Sequence, residues 1–338
     1  MPARLGVLIF ALALLAPAAV QLFSPRAQVS SAEKRALASA PAWPKAWGEW
    51  GALPGNADRF VRDHFGLREP LATGWSLLKY GLRYTPGVAV GRDGWLYYPR
   101  YWNARYGRGG CGAQAEEVRA FAGRLERLAA RAPVILAIAP DKETVYPEYL
   151  PGNPAQTCDL LPVLAKALEG GRVRTLDLLA PLLAWKAKEQ VYFRTDSHWS
   201  DLGGWRIAGV LLDGACPAGA TCARLPEPVL STRATSGDLA GLIGLALVLT
   251  ERYTAVDVPA PAERAGRTLY VVGDSFAKGV QRFLAADASL ARVEFHDHAE
   301  GRIDLRPLLA AKPDAILVVI VERYLYDREV MRAFADGL

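Results

Sequence analysis

The run FRTDSHWSDLGG (193–204) places a carboxylate, Asp196, two residues before an imidazole, His198, in a polar turn that opens a helix. A carboxylate so placed can orient the ring and stabilise its protonated form, and the ring can then take a proton from a hydroxyl. The run VVGDSFAKG (271–279) supplies that hydroxyl. An apolar strand ends at Gly273, Asp274 and Ser275 follow, and a helical pattern begins near Phe276. Ser275 then stands at the carboxyl edge of a sheet, where open α/β folds place their sites. It also stands at a helix N-terminus, whose free N–H groups can hold a developing oxyanion. Gly273 permits the tight turn. Singly, each run has an ordinary structural reading: Ser275 or Asp274 as a helix cap, His198 as a capping or core histidine. Together they supply a nucleophile, a base and an orienting carboxylate. The order Asp…His…Ser is compatible with a triad, which is defined by roles rather than by chain order.

Other residues carry weaker signals. Lys142, in APDKETVYP, follows a buried strand at the same sheet edge. It either contacts substrate or forms a solvated turn with Asp141. Arg323 follows the strand AILVVIV and Glu322. It either binds an acidic sugar and orients the site or makes a structural ion pair. His296 and His298 lack a third ligand at helical spacing and read as surface histidines rather than a metal pair. His64 reads as helix packing or capping. Trp95, Tyr97, Tyr98, Tyr101 and Trp102 suit either sugar stacking or packing of a hairpin.

The elements that must position these residues alternate along the chain. Helical patterns cover 58–80, 115–130, 160–168, 178–185, 202–212 and 276–284, and a hairpin turning at GRDG covers 86–98. Apolar strands are expected at 133–139, 173–176, 191–193, 269–272, 293–295 and 315–321. Runs such as PVILAIA and AILVVIV suit strands buried on both faces, hence a mainly parallel sheet. The alternation predicts an α/β domain of three layers, α/β/α.

Residues 5–23 carry no charge and follow Arg4. That length is close to the ~20 residues a spanning helix needs, and the pattern is that of a Sec-type signal. Residues 1–25 are expected to be a signal peptide or signal anchor, 26–57 a linker, and 58–338 the folded domain, outside the cytoplasm. Export permits disulfides. The four cysteines allow three pairings, of which the sequential one, Cys111–Cys158 and Cys216–Cys222, is the simplest. The composition, with 51% hydrophobic and 22% charged residues, excludes a mostly disordered chain and a multi-pass membrane protein. The net charge of +5 comes without a basic block, so no nucleic-acid partner is expected.

The segments DHFGLRE (63–69), VGRDGWLYY (90–98), APDKETVYPEYLP (139–151), TDSHWSDLGGW (195–205), GDLAG (237–241) and VVGDSF (271–276) resemble the SGNH-hydrolase-like O-acetyltransferases of exopolysaccharide modification, the alginate AlgJ/AlgX family. The resemblance runs from about residue 55 to the C-terminus. Ordinary SGNH esterases place Asp and His after the Ser, so the DSHW…GDSF order is specific. The resemblance implies acetyl transfer to sugar hydroxyls in the periplasm, with Ser275, His198 and Asp196 as catalytic residues. Lys142, Arg323 and Gly273 are the expected substrate-binding residues. It also implies an exopolysaccharide acceptor, a membrane-bound O-acyltransferase partner supplying acetyl groups, and no metal or cofactor. The N-terminal helix would hold the domain at the inner membrane. There is no GxND block, so the usual oxyanion asparagine has no counterpart. No carbohydrate-binding module follows the domain, which favours the AlgJ-like form. An exported acetyl esterase would use the same triad, and a polysaccharide-binding scaffold would not need it.

Overall fold

The structure is a computed structural model; it describes residues 2–23, 28–30, 35–107, 110–152, 154–217, 225–264, 266–297, 309–310 and 312–337. The chain divides into two compact units, Met1–Ala89 with Ser236–Thr250, and Val90–Thr235 with Glu251–Leu338.

In the first unit a helix covers Pro2–Phe23. No helix among the described residues is long and apolar enough to cross a membrane. The stretch expected as linker holds a small antiparallel pair, Val29–Ser30 with Arg35–Ala36, and a 3-10 turn at Trp47–Ala52. The DHFGLRE segment joins the helices Leu53–His64 and Arg68–Gly81. Asp63 accepts from Arg35 Nη1 and Nη2 at 3.0 and 2.5 Å and from the Ala38 N–H at 2.8 Å. The Arg35 bonds hold its carboxyl well below the usual carboxylate range. His64 Nε2 donates to the Ala38 carbonyl at 2.8 Å. This motif therefore ties the strand pair to the helix.

The second unit is built on a five-stranded parallel sheet. Its strands are β1 (Val134–Ala139), β2 (Arg174–Leu176), β3 (Arg267–Gly273), β4 (Leu290–Asp297) and β5 (Ala315–Val321), in the order β4-β3-β5-β1-β2. The continuous apolar runs are the central strands, as their composition requires: every residue of β5 is buried. Side chains alternate by two. Val134, Leu136, Tyr270, Val272, Ile316, Val318 and Ile320 pack with Val118, Phe121 and Leu125 of helix α1 (Gly112–Ala129) and Leu164 of helix α2 (Leu161–Leu168). Helix α4 (Ser275–Leu284) packs on β3, β4 and β5 and also on helix α3 (Asp201–Gly214). An antiparallel ribbon, Val229–Thr235 with Glu251–Asp257, completes the unit.

The hairpin forms where expected. Asp93 and Gly94 both have positive φ, 52° and 76°, and the Trp95 N–H donates to the Arg92 carbonyl at 3.0 Å. That is the Asp-Gly turn whose twist matches paired strands. Cys111 and Cys158 form a disulfide that ties the start of α1 to the segment before α2. Cys216 is also disulfide-bonded; Cys222, its expected mate, lies outside the described residues. Residues 191–193 do not join the sheet. Tyr192 bridges only to Trp199, because the chain turns back on itself within the DSHW segment.

Candidate active site

Two loops build the site. The first is the step from β3 into α4. Gly273 is where the strand must be bare: a Cβ there would collide with the Val319 carbonyl on β5 and with Ala277 Cβ on α4. Asp274 caps the helix, its Oδ1 accepting from the Phe276 N–H at 2.8 Å. Its Oδ2 accepts from the Val321 N–H at 2.7 Å, which fastens the end of β5 to the same turn. Ser275 is the first helical residue, and it is exposed.

The second loop carries Asp196 and His198. The Phe193 N–H donates to the His198 carbonyl at 3.2 Å, and the Ser200 N–H to the Val191 carbonyl at 2.9 Å. Ser200 Oγ caps α3 by accepting from the Gly203 N–H at 3.1 Å. Gly203 is bare because a Cβ would strike the Val191 carbonyl. Trp199 fills the space left by Gly204 on α3 and Gly279 on α4. Its ring meets Phe276 edge-on at 4.9 Å.

These loops bring the three predicted residues together. Asp196 Oδ1 accepts from the His198 N–H at 3.0 Å and from His198 Nδ1 at 2.7 Å. A carboxylate oxygen can only accept here, so Nδ1 carries the proton and Nε2 presents its lone pair. That Nε2 lies 2.7 Å from Ser275 Oγ. The imidazole also rests on Phe276, 4.8 Å between ring centres. The arrangement can move a proton from the serine hydroxyl to a ring whose positive charge Asp196 would offset. It opens into a cleft of about 420 Å³ lined by Phe193, Asp201, Arg233, Tyr253, Lys278 and Arg282. Sequence reasoning missed the cleft's second wall, Arg233 and Tyr253, which face one another across the antiparallel ribbon.

The residues expected to bind substrate are not among those that line this cleft. Lys142 is 2% exposed and sits over the rings of Trp95 and Tyr97. Its Nζ donates to the carbonyls of Phe193, Arg194 and Asp196. Arg323 Nη1 donates to Asp141 Oδ1 at 2.9 Å, and its guanidinium lies 5.2 Å from the Phe276 ring. Gly273 is buried and serves strand–helix packing. The structural pairing left open for Arg323 is therefore the one present. Arg105, which the sequence did not single out, pairs with Glu322 at 2.8 Å beside Asp141. Burial pushes the carboxyls of Asp141 and Glu322 up, against the pull of the arginines. Burial, with Asp141 nearby, pushes Glu143 up to about 7. Its carboxyl accepts from Trp102 Nε1 at 3.0 Å. Trp95 stacks on Tyr149 and Tyr97 is buried, so these hairpin aromatics are packing residues. His296 stacks on Tyr270 in the sheet, and His298 lies outside the described residues.

Residues 88–286 match the family described as the SGNH hydrolase-like domain of the acetyltransferase AlgX. Among curated proteins, the chain is 28% identical over 242 residues to a probable alginate O-acetylase AlgJ of Pseudomonas syringae pv. tomato, covering 70% of this chain and 61% of that one. It is 26% identical over 322 residues to a probable alginate O-acetylase AlgJ of Pseudomonas putida, covering 83% of each. The alignment with the P. syringae protein thus spans less than two thirds of that relative's length. Among solved structures, a DHHW family protein from Eubacterium siraeum shares the fold, with a TM-score of 0.51 and 16% identity over 73% of this chain and 98% of that one.

Proposed function

The chain belongs to the family of SGNH hydrolase-like domains of the AlgX acetyltransferase type, and on that premise we propose that it is an O-acetyltransferase acting on an exopolysaccharide through an acetyl-serine. The observation that carries this reading is the chain of contacts Asp196–His198–Ser275, 2.7 Å at each side-chain step.

In the first half-reaction His198 Nε2 takes the Ser275 proton as Oγ attacks the acetyl carbonyl of the donor. The bond from that carbonyl to the donor's leaving group breaks, and His198 returns the proton to the leaving group. In the second half, an acceptor hydroxyl loses its proton to His198 and attacks the acetyl-serine. Ser275 leaves and takes the proton back. Asp196 holds the ring in one tautomer throughout and offsets its transient charge. The Phe276 N–H is committed to Asp274. The Ser275 N–H lies in the first turn of α4, outside the helical ladder, and is our candidate to hold the oxyanion. Arg233, Lys278 and Arg282 line the cleft together with Asp196 and Asp201, with Arg233 paired to Asp257 and Arg282 to Asp201.

We place the protein outside the cytoplasm. The apolar N-terminal segment, read as an export signal, supports this placement, as does the disulfide Cys111–Cys158. Acetyl groups would then come from a membrane-bound O-acyltransferase.

The test mixes purified protein with 4-nitrophenyl acetate, with and without an acidic oligosaccharide, beside Ser275→Ala. The reading requires nitrophenol release that depends on Ser275, and acetyl esters on the acceptor. Release without transfer to any acceptor would favour an esterase. Equal background rates for both proteins would leave a binding role.

A further inference from the structure

The turn that carries Asp196 is distinguished by where its peptide groups point. The carbonyls of Phe193, Arg194 and Asp196 converge on Lys142 Nζ, at 3.1, 3.1 and 2.6 Å. Three acceptors match the three protons of an ammonium group. On the other side of the same segment, the N–H groups of Arg194 and Thr195 donate to the Glu251 carboxylate at 2.9 and 2.7 Å. Thr195 Oγ1 donates to it at 2.6 Å, and Gln190 Nε2 at 3.0 Å. Two consecutive peptide units, 193–194 and 194–195, therefore each run from cation to anion, with the carbonyl on Lys142 and the N–H on Glu251.

In an extended chain successive carbonyls point to opposite sides. Here two neighbours and a third point to one spot, and their dipoles repel unless a positive charge stands at the focus. Lys142 and Glu251 are each 2% exposed. Buried opposite charges ordinarily meet each other; here Lys142 bonds the carbonyls of the turn, while Glu251 bonds its N–H groups, Thr195 Oγ1 and Gln190 Nε2 and has Arg194 Nε at 3.9 Å. The cost of burying them is met by bonds to the turn that precedes His198. Lys142 and Glu251 stand 54 and 56 positions from the residues they hold, Asp196 and Thr195.

We propose that Lys142 and Glu251 form a charge clamp that sets the backbone of residues 193–196 and so aims the Asp196 carboxylate at His198 Nδ1. Both are positioning residues, and the inference rests on the acyl-transfer reading above. Without the clamp the three carbonyls spread, Asp196 moves relative to the ring, and the imidazole loses the partner that fixes its tautomer. Displacing an orienting group by about 1 Å costs on the order of 100-fold in rate.

The test compares wild type, Ser275→Ala, Lys142→Met, Glu251→Gln and Thr195→Val. Nitrophenol release gives kcat and KM, and its pH profile is followed. The low-field proton NMR resonance of the Nδ1–H shared with Asp196 is recorded on the same samples. Lys142→Met and Glu251→Gln should lower kcat by about 100-fold, leave KM near wild type, shift the kcat–pH profile and abolish the low-field resonance. Thr195→Val removes one neutral-to-charged hydrogen bond without removing either charge. It should fold, lower kcat several-fold and weaken the resonance. If Lys142→Met and Glu251→Gln do not fold, Thr195→Val decides alone: wild-type kcat with an intact resonance overturns the clamp. Wild-type kcat and pH profile in folded Lys142→Met also overturns it. If Ser275→Ala matches wild type, the acyl-transfer reading itself falls, an outcome distinct from failure of the clamp.

Discussion

His198 Nε2 and Ser275 Oγ lie 2.7 Å apart although 77 positions separate them in the chain. One sits in a turn before α3 and the other on the first residue of α4, and these two helices pack side by side. The contact is therefore only as good as the helix–helix interface beneath it, where Trp199 occupies the gaps at Gly204 and Gly279.

The three side chains should act as one unit. Ser275→Ala and His198→Ala are each expected to lower Ser275-dependent ester turnover by about 10³-fold or more, and Asp196→Asn by a similar order. The double variant Ser275→Ala/Asp196→Asn should be no slower than Ser275→Ala. Steady-state rates with 4-nitrophenyl acetate measure this; additive losses would show that the residues act independently.

Asp274 should matter for stability as well as for placing Ser275. Replacing it by Ala removes the α4 cap and strands the buried Val321 N–H. The expected cost is about 1–3 kcal/mol in urea unfolding. Asn keeps one of the two acceptors and should recover part of it. An unchanged midpoint for Asp274→Ala would mean that water replaces both bonds.

Glu143 should make stability depend on pH. Its carboxyl ordinarily titrates at 4.5, and burial raises it to about 7 in the folded protein. Between those values the folded state holds a proton that the unfolded chain has released. Stability should therefore fall as pH rises from about 4.5 to about 7, and level off above. Asp141 and Glu322 are raised too and contribute to the same slope. Glu143→Gln keeps an acceptor for Trp102 and has no proton to lose. Thermal midpoints from pH 4.5 to 8 should slope less steeply in this variant than in wild type, and parallel curves would count against the shift.

The disulfide Cys111–Cys158 closes a sequence separation of 47 residues. On chain-entropy grounds its loss should cost about 4 kcal/mol. Cys111→Ser, compared with wild type by calorimetry under oxidising conditions, measures this. Reductant should then lower the wild-type midpoint far more than the variant's, apart from any effect through Cys216.

Much of the site was legible because its signals are local. The strand run ending at Gly273, the cap at Asp274 and the helix after Ser275 are contiguous, and each follows from residue type and short-range sterics. The spacing of Asp196 and His198 is equally local, since one carboxylate oxygen reaches both the N–H and the Nδ1 of a residue two positions on. The apolar runs in β1 and β5 announced a sheet covered on both faces for the same reason.

The roles of Lys142 and Arg323 were not legible. Both follow buried strands at the sheet edge, where a charged residue can turn outward to a ligand or inward to a partner. Which way it turns depends on groups far along the chain: the Phe193–Asp196 carbonyls for Lys142, and Asp141 for Arg323. Glu251 opens a ribbon strand and carries no local sign that it will hold the Asp196 turn. Local patterns of residue type set the parallel α/β unit and the loops that bear Asp196, His198 and Ser275. Which charges face the cleft and which are buried against the backbone was settled by long-range packing. Short-range propensity is fixed by each residue and its neighbours, whereas the burial of a charge is settled by whichever distant dipoles the fold brings to it.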